Sequence, residues 1–312
     1  MCAGFETSGA LLGHELAYCL GQTQDERALP ILEGVLEDEQ QHVMVRHEVR
    51  FPSSRALGHS SERPLTILAQ AAEAIGAISS TRSLPLLERY LTHPDQSLRE
   101  TCEIAVDKIK FDNSPAGAEA RKSELYPTID PAPPSSLPES LAGAKSSAPV
   151  DELERTLLDT QLPLFERYRA MFALRDEGSR ESVLALARGF NDPSALFRHE
   201  IAYVFGQMCS THSVEALTEV LERKDESDMV RHEAAEALGS IATDDCWATL
   251  RMFAGETRPI KGTQEVEVVP QVVRDSCIVA LDMVEHERSG EFQYATALDS
   301  LGEQPPAAAA SA

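Results

Sequence analysis

Four adjacent histidine–glutamate pairs are the residues in this chain best suited to chemistry. The two pairs in each half of the chain are 33 residues apart, and they are His14-Glu15, His47-Glu48, His199-Glu200 and His232-Glu233. Imidazole nitrogens and carboxylate oxygens bind transition metals, and two histidines with one carboxylate suit non-haem Fe(II) that keeps open positions. Because the four copies share one offset of 185 residues, they are not independent, and duplication of a structural residue is the competing interpretation.

These pairs lie inside a longer internal duplication. Residues 14–22 read HELAYCLGQ and residues 199–207 read HEIAYVFGQ, with six of nine positions identical. Residues 44–48 and 229–233 both read MVRHE. Self-similarity at a fixed spacing is typical of repeat architectures. We therefore expect two halves that carry equivalent sites.

The spacing of 33 residues predicts helical hairpins that position the pairs. Residues 27–36 and 213–221 have apolar residues at helical spacing, and strand signals are scarce. Hairpins that cannot bury their apolar faces alone stack on neighbours, so we expect an all-α fold, an α-solenoid in two pseudo-symmetric halves. Each pair opens an inner helix, where adjacent side chains point about 100° apart. Ligands for one metal must therefore come from stacked helices, and two facing sets predict a dinuclear centre.

Composition divides the chain into regions. Residues 112–150 contain seven of the eighteen prolines and many serines and alanines, which predicts a linker. We therefore expect an N-terminal half over 1–111, a C-terminal half over 151–303, and a disordered tail over 304–312. An amphipathic helix over 165–174 precedes His199, but its counterpart in the first half would fall before residue 1, so that half lacks a leading repeat.

A second irregularity is an insert over residues 49–70. It separates Glu48 from Ala71-Ala72-Glu73, whereas the matching residues follow Glu233 directly in the second half. Its 22 codons make 66 nucleotides, a multiple of three, and we hypothesise a translated intron. A genuine surface loop is the alternative, and transcript sequencing across the boundary distinguishes the two. The insert and the missing repeat together predict impaired activity of this exact polypeptide.

Charge and cysteine content restrict the partners and the compartment. The chain has 28 Lys and Arg against 51 Asp and Glu, a net charge of −23, with 42% apolar residues. This charge repels phosphate backbones and anionic membranes, so we expect a cationic partner, no nucleic acid and no membrane. The six cysteines form no CxxC pair, which indicates reduced thiols. Without a signal peptide or a membrane-spanning run, the sequence predicts a soluble intracellular protein.

Several segments resemble deoxyhypusine hydroxylase, the HEAT-repeat di-iron monooxygenase family. Besides the two duplicated motifs, the matching segments are residues 130–134 (DPAPP), 163–175 (PLFERYRAMFALR), 195–200 (ALFRHE) and 280–287 (ALDMVEHE). The resemblance covers nearly the whole chain except the insert and the tails. It implies HEAT-like helical hairpins and hydroxylation of deoxyhypusine on translation initiation factor 5A, which completes hypusine.

The resemblance also implies the cofactors and the roles of the site residues. Two Fe(2+) ions per chain would use O2 as co-substrate, with one ion on His14, His47 and Glu48 and the other on His199, His232 and Glu233. Glu15 and Glu200 would contact the polyamine-like substrate side chain or lie in the outer shell. We further expect a monomer in the cytoplasm, with the nucleus as a second location.

Two other functions compete with this interpretation. One is a non-catalytic acidic HEAT-like scaffold that binds a basic protein, and it would purify without metal. The other keeps the metals but makes them zinc in a hydrolase or lyase, which thiol-free His and Glu ligation permits. Absence of O2-dependent chemistry and of visible absorption from iron would favour zinc.

Overall fold

The structure, a computed structural model, describes residues 10–37, 63–120, 123, 125–135, 148–260 and 262–289. His47, Glu48, most of the predicted insert and the predicted tail lie outside this range. The backbone of residues 10–15 is described, but the side chains of His14 and Glu15 are not.

Helices dominate the described chain, which confirms the predicted fold class. The first half contains α1 (Ala10–Gln22), α2 (Leu29–Glu37), α3 (Arg63–Ile78), α4 (Leu84–Arg89), α5 (Gln96–Asp112) and the short α6 (Pro115–Ala118). The second half contains α7 (Ala148–Leu158), α8 (Leu164–Glu177), α9 (Arg180–Arg188), α10 (Ala195–Met208), α11 (Val214–Glu222), α12 (Asp228–Ile241), α13 (Asp244–Phe253) and α14 (Gln271–Ser289). Between α13 and α14, β1 (Thr257–Pro259) pairs antiparallel with β2 (Val266–Val268), with Arg258 opposite Glu267.

None of the described helices combines the length and apolar character needed to span a bilayer.

The inner helices stack in sequence order: α1, α3 and α5 in the first half, and α8, α10, α12 and α14 in the second. Small residues allow a close approach, because a Cβ added to Gly76 would lie 2.9 Å from the Cβ of Ala105. The equivalent contact in the second half joins Gly239 to Ala280, at 2.7 Å. Larger residues at these positions would push neighbouring inner helices apart. The repeated contact therefore sets the same register in both halves.

Helix α3 begins earlier than the sequence indicated. The insert contains the helix breakers Pro52, Gly58 and Pro64, and a helix was expected only from Ala71. Instead α3 begins at Arg63, with Pro64 in its first turn. Proline is tolerated there because its missing N–H has no partner within the helix in any case. Residues 63–70 of the predicted insert therefore belong to an inner helix.

The described part of residues 112–150 lies against both halves. The side-chain amide of Gln22 donates to the Ile129 carbonyl at 3.1 Å and accepts from the Ile129 N–H at 2.7 Å. Gln207, its equivalent in the second half, donates to the Thr128 hydroxyl at 3.1 Å. The buried Arg175 makes a bidentate ion pair with Asp130, at 3.0 and 2.8 Å. This segment therefore joins the halves through specific polar contacts.

Direct contacts also join the two halves. The hydroxyl groups of Tyr18 and Tyr203, which are equivalent residues, share a hydrogen bond of 2.9 Å. Both side chains are half-buried, so they are interface residues and not core residues. The Phe111 and Phe165 rings lie 5.5 Å apart between α5 and α8. The pair of tyrosines lies where the two copies of the repeat meet.

Candidate metal centre

Helices α10 and α12 carry His199-Glu200 and His232-Glu233 at equivalent places. The hydroxyl of Ser194 accepts from the Phe197 N–H and caps α10, and the hydroxyl of Ser227 accepts from the Met229 N–H and caps α12. Such caps stabilise a helix start by about 1 kcal/mol. Each histidine is the fifth residue of its helix, so stacking the two helices brings the two imidazoles together.

His199, His232 and Glu233 form a compact buried cluster. One ligand atom from each residue can be chosen so that all three lie within 4.8 Å of one another. His199 Nε2 lies 3.2 Å from a carboxylate oxygen of Glu233, and the two imidazole centroids are 5.6 Å apart. Two imidazoles and one carboxylate match the ligand set of non-haem Fe(II) sites, so these residues fit such a metal.

A second carboxylate orients one of the histidines. Glu236 Oε1 lies 3.4 Å from His232 Nδ1, and the hydroxyl of Ser276 on α14 donates to the same oxygen at 2.9 Å. A carboxylate on the far ring nitrogen sets the imidazole orientation and increases its basicity as a ligand. The periodicity of α12 places Glu236 beside His232, but Ser276 comes from another repeat and no local motif identified it.

Glu200 faces the cleft between the halves and is not one of the three clustered ligands. It lines a narrow cavity with Glu73, Thr101, Lys108 and Tyr168, so both halves contribute to the wall. Burial raises the pKa of Glu200 well above its usual value. The negative charges of Glu73, Asp130 and Glu233 raise it further, and Arg175 opposes them. Its wall thus carries two carboxyl groups, Glu73 and Glu200, against one ammonium group, Lys108, which pairs with Asp112 at 2.8 Å.

The first predicted ligand set is described only in part. Helix α1 carries His14 and Glu15, whose side chains lie outside the described residues, as do His47 and Glu48. The structure thus brings together one predicted set, His199, His232 and Glu233, and places Glu200 beside it.

Comparisons with known proteins match both the repeats and the whole chain. The HEAT repeats family matches residues 151–239 and 181–261, and the PBS lyase HEAT-like repeat matches residues 13–38. Deoxyhypusine hydroxylase of Candida albicans is 49% identical over 94% of this chain and 80% of the relative. Deoxyhypusine hydroxylase of Mus musculus is 45% identical over 97% and 85% of the two proteins. A structure of human deoxyhypusine hydroxylase in complex with glycerol is similar to 91% of this chain and 83% of its own, with a TM-score of 0.73 and 40% identity.

Proposed function

Since this chain belongs to the deoxyhypusine hydroxylase family, as its motifs predicted, we propose that it acts on translation initiation factor 5A with O2 at an iron centre. The chain is an oxidoreductase that hydroxylates deoxyhypusine. The buried cluster of His199, His232 and Glu233 is the observation that carries the iron assignment, because its donor set suits Fe(II).

Iron, when bound, supplies the oxidising chemistry for a C–H bond, which no amino-acid side chain provides. His199, His232 and Glu233 would hold one ion, and Glu236 would keep the imidazole of His232 in its ligating orientation. The family resemblance assigns a second ion to His14, His47 and Glu48, whose side chains lie outside the described residues. Five more helices of the second half pack against α10 or α12, and the three clustered residues are buried.

The acidic cavity supports the proposed substrate. Deoxyhypusine carries a secondary and a primary amine, both protonated near neutral pH. A cavity with two carboxyl groups and one lysine that is already paired with Asp112 favours their approach. Glu73 and Glu200 come from different halves and both line the cavity, so each offers a carboxylate to an ammonium group of that side chain. An ammonium group beside Glu200 would stabilise its charged form and so lower its raised pKa.

Hydroxylation of factor 5A by the purified, Fe(II)-loaded protein tests this proposal. We expect the deoxyhypusine side chain to gain one oxygen atom from isotopically labelled O2, detected by mass spectrometry. His232→Ala should lose both bound iron and hydroxylation, whereas His212→Ala, at an exposed histidine of the same half, should keep both. Equal activity with zinc, or without O2, would contradict the proposal.

A further inference from the structure

Helices α3 and α12 are equivalent residue by residue. Both end in a left-handed residue, Ser79 with a φ of 60° and Ala242 with a φ of 57°. Gly76 and Gly239 make the same close contact to the next inner helix, on Ala105 and Ala280. These features agree on one offset of 163 residues between the two helices.

A second stacking contact gives the same offset. On its other side α3 meets α1, where a Cβ on Gly21 would lie 2.7 Å from Ala74 Cα. On the same side α12 meets α10, where a Cβ on Gly206 would lie 3.4 Å from Ala237 Cα. The alignment of α3 with α12 therefore rests on contacts with both neighbouring helices.

This register places Ala69 at the position of His232 and Gln70 at the position of Glu233. Both residues are buried, at 6% exposure, as are the two ligands that they match. A methyl group cannot bind a metal, and a neutral carboxamide lacks the charge with which a carboxylate balances Fe(II). Glu73 matches Glu236 at the same offset, so the outer carboxylate is present while the ligands before it are replaced.

The segment of residues 49–70 is the reason that Ala69 and Gln70, and not a histidine and a glutamate, occupy these positions. Its last eight residues form the first half of α3 and occupy the turns that carry MVRHE in the second half. Without the segment, Glu48 would join Ala71, and His47 and Glu48 would take the positions now held by Ala69 and Gln70.

We propose that this polypeptide builds one complete metal site and binds one ion, and that the second site requires His and Glu at positions 69 and 70. The proposal rests on the proposed metal centre and specifies which form of the chain assembles it in full. The form without residues 49–70 is then the one that binds two ions.

Metal stoichiometry tests the proposal with four proteins. They are the chain as given, a variant lacking residues 49–70, the full-length A69H/Q70E, and the converse exchange H232A/E233Q. Each is loaded anaerobically with Fe(II), desalted and assayed for iron by mass spectrometry, and electron paramagnetic resonance tests for magnetic coupling between two ions. Circular dichroism shows whether each variant is folded.

We expect about one ion in the chain as given, about two in the deletion variant and in A69H/Q70E, and none in H232A/E233Q. The double substitution keeps the chain length, and the deletion introduces no new residue type at any position that remains, so a folding failure of one leaves the other informative. The proposal would be overturned if the chain as given bound two ions or none. It would also be overturned if the deletion variant and A69H/Q70E each folded but bound only a single ion.

The proposed reaction is judged separately, by hydroxylation of factor 5A. Two ions in the deletion variant without hydroxylation would reject the proposed reaction and keep the inference. If the chain as given binds two ions and hydroxylates factor 5A, the proposed reaction is kept and the inference of a single metal site is rejected.

Discussion

The last inner helices of the two halves, α5 and α14, have nearly the same sequence pattern but different surroundings. Their buried positions match: Cys102 with Cys277, and Ala105 with Ala280. Ile104, however, is 4% exposed and belongs to the core of the second half, whereas its equivalent Val279 is 47% exposed.

The difference arises from what each helix meets. Helix α5 packs on α8, the leading inner helix of the second half, as the contact of Phe111 with Phe165 shows. The corresponding face of α14 meets no such helix within the described residues, and Val279 on this face is exposed. A repeat therefore determines which face can be buried, and the neighbouring repeat determines whether it is.

The largest expected difference between the halves lies in the metal ligands. Glu233→Ala should lose bound iron and reduce kcat/KM by at least about 100-fold, since it removes a ligand where even outer-sphere changes cost 10- to 100-fold. Gln70→Ala, at the matching position, should change neither, because the carboxamide binds no metal. Iron content and hydroxylation rates measure both variants, and iron loss in Gln70→Ala would contradict the claim that position 70 supplies no ligand.

The next prediction concerns the unequal faces of α5 and α14. Ile104→Lys should reduce the free energy of unfolding by about 3 kcal/mol, because it buries a charge between the halves. Val279→Lys should change it by less than about 0.5 kcal/mol, since that side chain already contacts solvent. Urea unfolding of the two variants compares them directly. Equal losses would show that the face of α14 is covered.

A smaller difference is expected at the glycines that face the neighbouring helix. Gly21→Ala should cost about 1–3 kcal/mol, because the new Cβ would lie 2.7 Å from Ala74 Cα. Gly206→Ala places its Cβ at 3.4 Å from Ala237 Cα, an ordinary contact, and alanine favours the helix. Its unfolding free energy should therefore stay within about 1 kcal/mol of the parent value, as thermal unfolding would measure.

The smallest difference between the halves is expected at Cys102 and Cys277, which should behave alike. Burial raises the pKa of both thiols from 9.0 to about 12. Between pH 9 and pH 12 the folded state keeps thiol protons that the unfolded state releases. The contribution of these thiols to the free energy of unfolding is therefore fully present below about pH 9 and is lost as the pH rises towards 12. Replacing both with alanine should flatten this part of the pH profile of unfolding.

Alkylation gives an independent check on the same thiols. The exposed Cys19 and Cys209 should react with iodoacetamide in the folded protein, while Cys102 and Cys277 should react only after denaturation. Peptide mapping by mass spectrometry identifies the modified residues. Modification of Cys277 alone in the folded state would show that the end of the second half opens more readily than the first.

Much of this protein is determined by its sequence alone. Apolar residues at helical spacing specify the hairpins, and the second copy of MVRHE identifies the helix that carries His232 and Glu233, because helix formation and periodicity are local properties. The family resemblance named His199, His232 and Glu233 in advance, and their clustering agrees with the expectation that stacked repeats place equivalent residues side by side.

Other features were decided only by tertiary structure. The sequence cannot show that Ala69 and Gln70 take the ligand positions, since the helical pattern of residues 63–78 continues across the boundary, and only packing on α1 and α5 selects the register. The partners of Asp130 and Ser276 were likewise hidden, because Arg175 and Glu236 approach them from distant parts of the chain. Local periodicity specifies which residues form a helix, but contacts between helices determine which of its residues reach the metal.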